Sequence, residues 1–102
     1  MKTLRLTLAA LIACTTALAQ KDAKDIYLDQ CAVCHGPDGA GKTARGRKLK
    51  MKDVREVAPK MSAEEMMKIT EGGKGPDMAG FGKELSKEQI KAVVDYYRGL
   101  AK

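Results

Sequence analysis

Aromatic side chains are scarce in this sequence. Of its 102 residues 4% are aromatic, namely Tyr27, Phe81, Tyr96 and Tyr97, and there is no Trp. Aromatic residues bury roughly 150–250 Å² each and usually dominate a small core. A single domain of this length buries only about 60–65% of its unfolded surface. The deficit therefore calls for another large apolar group in the interior. Histidine is scarcer still: His35 stands alone, which excludes paired imidazoles within one chain. No stretch alternates apolar and polar residues for long enough to make a strand. No apolar run approaches the roughly 20 residues that span a bilayer. Repeats and low-complexity tracts are absent. With 44% hydrophobic and 31% charged residues, the composition excludes collagen-like, coiled-coil and strongly disordered chains.

What is present begins with an address. Lys2 and Arg5 precede an apolar run at residues 6–13, and Ala17-Leu18-Ala19 stands before Gln20. A positive start, a short apolar stretch and an A-x-A site make a secretory signal peptide, with cleavage expected after Ala19. The chain then divides into a signal peptide at 1–19 and one domain at 20–102. Cleavage removes Cys14 and leaves Cys31 and Cys34 of the 3 cysteines. Leu11-Ile12-Ala13-Cys14 also resembles the bacterial lipobox, so a lipoprotein anchored through Cys14 is the alternative. Either route places the protein outside the cytoplasm, with the periplasm the expected location. Nucleic acid is a poor partner there.

The exported part reads as helices joined by glycine-rich loops, and the fold class is all-α. Residues 22–34 put Ala23, Ile26, Tyr27, Gln30, Cys31 and Cys34 on one helical face. That helix stops at His35-Gly36-Pro37, because Pro37 disfavours helical backbone in the residue before it. Residues 36–46 hold Gly36, Gly39, Gly41 and Gly46 and read as a loop, followed by a short helix over 49–58. Ser62-Ala63-Glu64-Glu65 is a capping box. It opens a helix through Met66, Met67 and Ile69 to Gly72-Gly73. A second loop covers 72–82. Ser86-Lys87-Glu88-Gln89 is another capping box, and its helix turns Ile90, Val93, Val94 and Tyr97 inward and ends near Gly99.

The strongest chemical signal is Cys31-Ala32-Val33-Cys34-His35. C-x-x-C-H is the attachment pattern for c-type haem. Two thiols three residues apart at a helix end lie on one face and reach the two vinyl groups along one porphyrin edge. The next residue then brings an imidazole beneath the iron. Other chemistries use paired cysteines. A thioredoxin-like dithiol follows a strand in a βαβ unit, and no such unit is present. Structural zinc takes four ligands, against two Cys and one His after cleavage. A disulfide across so short a loop constrains the unfolded chain little.

Haem iron takes a second axial ligand or leaves the position vacant. Met66 and Met67 sit mid-helix, where packing is their ordinary role, and Met51 and Met61 flank a connector. Met78 lies in the Gly/Pro-rich run Lys74-Gly75-Pro76-Asp77-Met78-Ala79-Gly80-Phe81-Gly82. Glycines let such a loop lay its backbone close to a ring, so Met78 is the candidate ligand.

Residues 31–35, the following Gly36-Pro37-Asp38-Gly39-Ala40-Gly41, the Met78-Ala79-Gly80-Phe81-Gly82 segment and the closing helix resemble class I cytochromes c. The likeness is to the short bacterial and photosynthetic members and covers residues 22–102. It implies three to five helices wrapped around one covalently bound haem c, with the first and last helices crossing. Tyr27 and Ala23 suit that crossing and face Val93 and Tyr97. Haem would be held by Cys31, Cys34, His35 and Met78, with His35 and Met78 on the iron. Many relatives have an aromatic donor to a haem propionate; here the candidates are Arg45, Arg47 and Lys48. Many also have a proline carbonyl that orients the proximal imidazole; Pro37 lies so close to His35 that this acceptor is left unassigned.

With both axial positions filled, substrate chemistry at iron is disfavoured and the chain is not expected to be an enzyme. Thioether ligation raises the potential, and the implied function is one-electron carriage. The alternative is a five-coordinate haem protein with peroxidase-like or gas-sensing activity. The run 42–52 carries Lys42, Arg45, Arg47, Lys48, Lys50 and Lys52 with no acid among them. It suits an acidic docking face on a terminal oxidase or reductase, and equally a solvated loop that neutralises propionates. Monomer is the default state.

Overall fold

The computed structural model describes residues 22–102. The signal peptide, its cleavage after Ala19 and the lipobox Cys14 lie outside the described residues. The first helix is continuous but changes its winding. α1 (Ala23–Ile26) passes into a π-helical turn (Tyr27–Cys31), and α2 (Ala32–His35) completes the run. The N–H of Ala32 bonds to the carbonyl of Tyr27, five residues back. Such a turn inserts one residue into the helical register. Ile26, Tyr27 and Ala32 are consequently buried while Gln30 is exposed. This corrects the regular face expected over 22–34, on which Gln30 points inward. Leu28 and Val33, also five apart, stand outward at 41% and 58% exposure.

α3 (Ala44–Lys48) lies partly where a loop is expected. Thr43 caps it by accepting the Gly46 N–H at 2.9 Å. The chain then breaks: Lys50 takes a φ of 57°, and α4 (Val54–Val57) begins only after Asp53. The Asp53 carboxylate accepts the Arg55 N–H at 2.9 Å. Of the helix expected over 49–58 only Val54–Val57 forms, after an irregular stretch at 49–53. Asp53 sits at a cap because its carboxylate satisfies an otherwise free donor there, which it does not do mid-helix.

Both capping boxes form as expected. Ser62 Oγ accepts the Glu65 N–H at 3.1 Å, and the Glu65 carboxylate accepts the Ser62 N–H at 3.4 Å. Ser86 Oγ accepts from Gln89 at 3.1 Å, and the Gln89 side chain accepts from Ser86 at 2.9 Å. They open α5 (Ala63–Gly72) and α6 (Lys87–Gly99). α6 packs on α5 with one side and on the first helix with the other. The core at that crossing is Ile26, Tyr27, Ala32 and Val93, bordered by Cys31, Leu85, Tyr96, Tyr97 and Leu100. Tyr27 meets Val93 and Tyr97 as expected, whereas Ala23 is half-buried and outside the cluster. Among the described residues the architecture is all-α with five helices, counting the first as one. Among the described residues the only ladder is an isolated bridge between Lys74 and Met78. No helix of the described residues is long and apolar enough to cross a membrane.

Candidate functional site

Cys31 closes the π turn, and Cys34 and His35 finish α2. Both thiols are free and half-buried. Burial pushes the Cys31 thiol up to about 11, and the neighbouring Cys34 adds to the effect. A redox dithiol needs the opposite, a lowered pKa on its nucleophilic sulfur. Burial also lowers the pKa of His35 from 6.5, which favours the neutral imidazole that binds metal. Its Nδ1 is buried without a hydrogen-bond partner, the one such side-chain atom among the described residues.

The backbone around this imidazole is held from several sides. The Gly41 N–H donates to the His35 carbonyl at 2.8 Å. Gly36 ends the helix at a φ of 83°, a conformation open to glycine. The Tyr27 hydroxyl donates to the Gly36 carbonyl at 2.6 Å in a buried bond. Tyr97, from α6, meets the His35 ring edge-on, with centroids 5.1 Å apart and planes at 65°. Tyr27 in turn lies 5.3 Å from Tyr96 and 6.0 Å from Tyr97. Three of the rare aromatic rings thus gather beside the one histidine. The Thr43 hydroxyl donates to the Val33 carbonyl at 2.7 Å and approaches that of Cys34 at 3.4 Å. Gly46 abuts the Cys34 carbonyl so closely that a Cβ there would collide with it.

Met78 is half-buried on the loop after α5. Its carbonyl accepts the Lys74 N–H at 2.9 Å, and its own N–H reaches Lys74 O at 3.3 Å. The Phe81 N–H donates to Thr70 O at 2.8 Å and the Gly82 N–H to Glu71 O at 3.0 Å. A Cβ on Gly80 would stand 2.6 Å from Glu71 O. These contacts fasten the far end of the loop to the end of α5, and the Lys74–Met78 pair closes it internally. The structure therefore brings Cys31, Cys34 and His35 together at one helix end, and carries Met78 on a separate, fastened loop.

Among the described residues no group of three or more His, Cys, Asp or Glu converges to hold a bare metal ion. Two unbridged thiols and one neutral imidazole at a helix end suit a group attached through sulfur and ligated through nitrogen. Pro37 is exposed and leaves Nδ1 of His35 unpartnered. Lys42, Arg45, Arg47, Lys48, Lys50 and Lys52 are all exposed, with Arg45, Arg47 and Lys48 on α3. The ion pairs Arg55–Asp53 at 2.7 Å and Lys91–Asp95 at 2.9 Å lie outside this run.

The family described as cytochrome c oxidase, cbb3-type, subunit III matches residues 18–96. The chain belongs to this family of c-type cytochromes. Covalently bound haem c is accordingly its cofactor. The solved structure of KustC0563 c-type cytochrome is similar, with 32% identity and a TM-score of 0.73 over 80% of this chain and 100% of that one. A tyrosine-to-phenylalanine mutant of Kustc0563 gives 30% identity and a TM-score of 0.70, covering 78% and 99%. No curated protein matches the chain. Beyond the motif, the cytochrome places Tyr27, Tyr97 and Thr43 around the helix end. Thr43 before Ala44 carried a cap signal in the sequence. Nothing local announced the target of the Tyr27 hydroxyl, because the π turn that positions it is a register change.

Proposed function

We propose that this cytochrome is an exported one-electron carrier. Cys31 and Cys34 would hold haem c through thioethers, with His35 and Met78 as axial ligands. When bound, haem c supplies the ferric/ferrous couple. The observation that carries this reading is the pair of free thiols followed by a neutral, half-buried imidazole, on a chain of this family. The Met78 loop supports the second ligand, since its hydrogen bonds to α5 keep a thioether from swinging freely. With two side-chain ligands the iron has no open position, so the protein carries electrons rather than transforming a substrate. The expected form is soluble and periplasmic after cleavage at Ala19, with the Cys14-anchored lipoprotein as the other route.

The exposed cations of 42–52 support docking on an acidic redox partner, in keeping with the oxidase named in the family description. Charges of one sign raise encounter rates and lose effect with salt. A pyridine haemochrome assay of the exported protein tests covalent attachment. The weak red charge-transfer band of thioether-ligated ferric haem, measured with and without Met78→Ala, tests the axial assignment. A wild-type protein that lacks the band and binds carbon monoxide rapidly when reduced is five-coordinate, and the carrier reading then fails. Electron transfer to an acidic oxidase should slow as ionic strength rises, and rates indifferent to salt defeat the docking assignment.

A further inference from the structure

Histidines that bind metals almost always donate their second ring N–H to a carbonyl, carboxylate or water, and this bond fixes the plane of the ring. In this cytochrome Nδ1 of His35 is buried with no such partner. The ring must therefore take its orientation from the backbone that bears it and from what packs against it. Both peptide groups after its Cα are pinned. The His35 carbonyl accepts from Gly41 at 2.8 Å. The Gly36 carbonyl accepts from Gly39 N–H at 3.1 Å and from the Tyr27 hydroxyl at 2.6 Å. The second of these is the short, buried bond. Tyr97 then stands against the imidazole itself, edge-on at 5.1 Å, and Tyr27 braces Tyr97 at 6.0 Å. One residue thus touches both supports of the ring.

We propose that Tyr27 is a positioning residue for the axial imidazole, its hydroxyl on the Gly36 carbonyl and its ring against Tyr97 together setting the plane in which His35 meets the iron. The inference rests on the assignment of His35 as ligand. It needs no charge on Tyr27 and no contact between Tyr27 and haem. The phenol acts on the Gly36–Pro37 peptide, one residue beyond His35, and the ring acts on Tyr97, the side chain that flanks the imidazole.

The test uses the haem-bearing protein and the Tyr27→Phe variant, which keeps the ring and removes the hydroxyl. The readouts are the ferric low-spin EPR g-values and the paramagnetically shifted haem methyl resonances. Both report the orientation of the axial imidazole. Covalent haem content should be unchanged, while the g-anisotropy and the spread of the methyl shifts should both move. A fluorotyrosine at position 27, a stronger donor, should move them the opposite way, and it serves should Tyr27→Phe fold poorly. A merely structural hydroxyl lowers the melting temperature and leaves both spectra as in wild type; that result overturns the proposal while leaving His35 as ligand. Wild-type protein without covalent, low-spin haem overturns the parent reading as well.

Discussion

The hydroxyl of Thr43 donates to the carbonyl of Val33 at 2.7 Å while accepting the N–H of Gly46 at 2.9 Å. One side chain thereby joins the end of the Cys-x-x-Cys-His helix to the start of α3. It satisfies a carbonyl left free at a helix C-terminus and an N–H left free at a helix N-terminus. The link also ties the start of α3, the helix that bears Arg45, Arg47 and Lys48, to the Val33 carbonyl.

Thr43→Val keeps the shape and removes both bonds. It should destabilise the protein by about 1–2 kcal/mol, from loss of the cap and of a partner for the Val33 carbonyl. Thr43→Ser should recover most of that. Chemical denaturation of the three proteins side by side measures it, and a valine variant as stable as wild type would show the link to be idle.

Gly46 lies against the Cys34 carbonyl, and a Cβ there would also approach Gly41 O to 2.5 Å. Gly46 is helical and not at positive φ, so the constraint is space rather than backbone freedom. Gly46→Ala should therefore displace α3 and cost about 1–3 kcal/mol or more, as overpacking does. The yield of covalent haem should fall with it. Normal yield and normal stability would mean that α3 shifts away without penalty.

How much of this was legible in the sequence depended on range. The two capping boxes, the glycine stops and the inward face of α6 formed as expected, because each is decided within a few residues. Cys31, Cys34 and His35 were legible for the same reason: their spacing is the chemistry. Thr43 and α3 were obscured by Gly36, Gly39, Gly41 and Gly46, whose density reads as loop although Gly46 is inside a helix to allow close packing. The π turn was hidden most deeply. Ile26, Tyr27 and Cys31 fit a regular helix, and only tertiary packing of Tyr27 and Ala32 on α6 selects the five-residue turn.

Deleting Leu28, an exposed residue in that turn, takes out the inserted residue. Ala32 then stands four residues from Tyr27, and because each residue of an α-helix turns the chain by about 100° the two still share a face. The deletion should therefore convert the π turn into an ordinary α turn and keep the Tyr27–Gly36 bond and haem attachment. An alanine inserted after Leu28 instead rotates residues 31–35 relative to Tyr27 by roughly 100°, and haem attachment should drop sharply. Equal haem yields from the deletion and the insertion would show the helical register to be dispensable.

The tyrosine cluster predicts a response to alkali. Burial is the largest cause of the upward shift in Tyr97, to about 12, and Tyr27 is raised further, again chiefly by burial. A phenol whose pKa is higher in the folded state than the ordinary 10.0 contributes stability that is complete below that value. The contribution is lost as pH rises from there through the folded-state value. Unfolding free energy should fall over pH 10 to 12 and beyond, and Tyr27→Phe should show a shallower fall. Identical slopes in the two proteins would place the alkaline sensitivity elsewhere.

The shortage of aromatic side chains bears on whether the chain folds without its cofactor. Among the described residues the fully buried large side chains are Tyr27, Ile90 and Val54, a small set for a domain that must offset the backbone entropy of every ordered residue. Haem c would add an apolar plate larger than any of them. It would also tie Cys31 and Cys34 to it, and so join the first helix to whatever else touches the ring. The exported Cys31→Ala, Cys34→Ala double variant keeps the packing volume nearly unchanged while abolishing attachment. It should lack a cooperative thermal transition or melt far below wild type, and lose near-ultraviolet circular dichroism from Tyr27, Tyr96 and Tyr97. Helical content by far-ultraviolet circular dichroism should fall less, because the two capping boxes are local. A haem-free variant that melts cooperatively, with native tyrosine signals, would mean that the small protein core suffices and that the aromatic deficit has nothing to do with the cofactor.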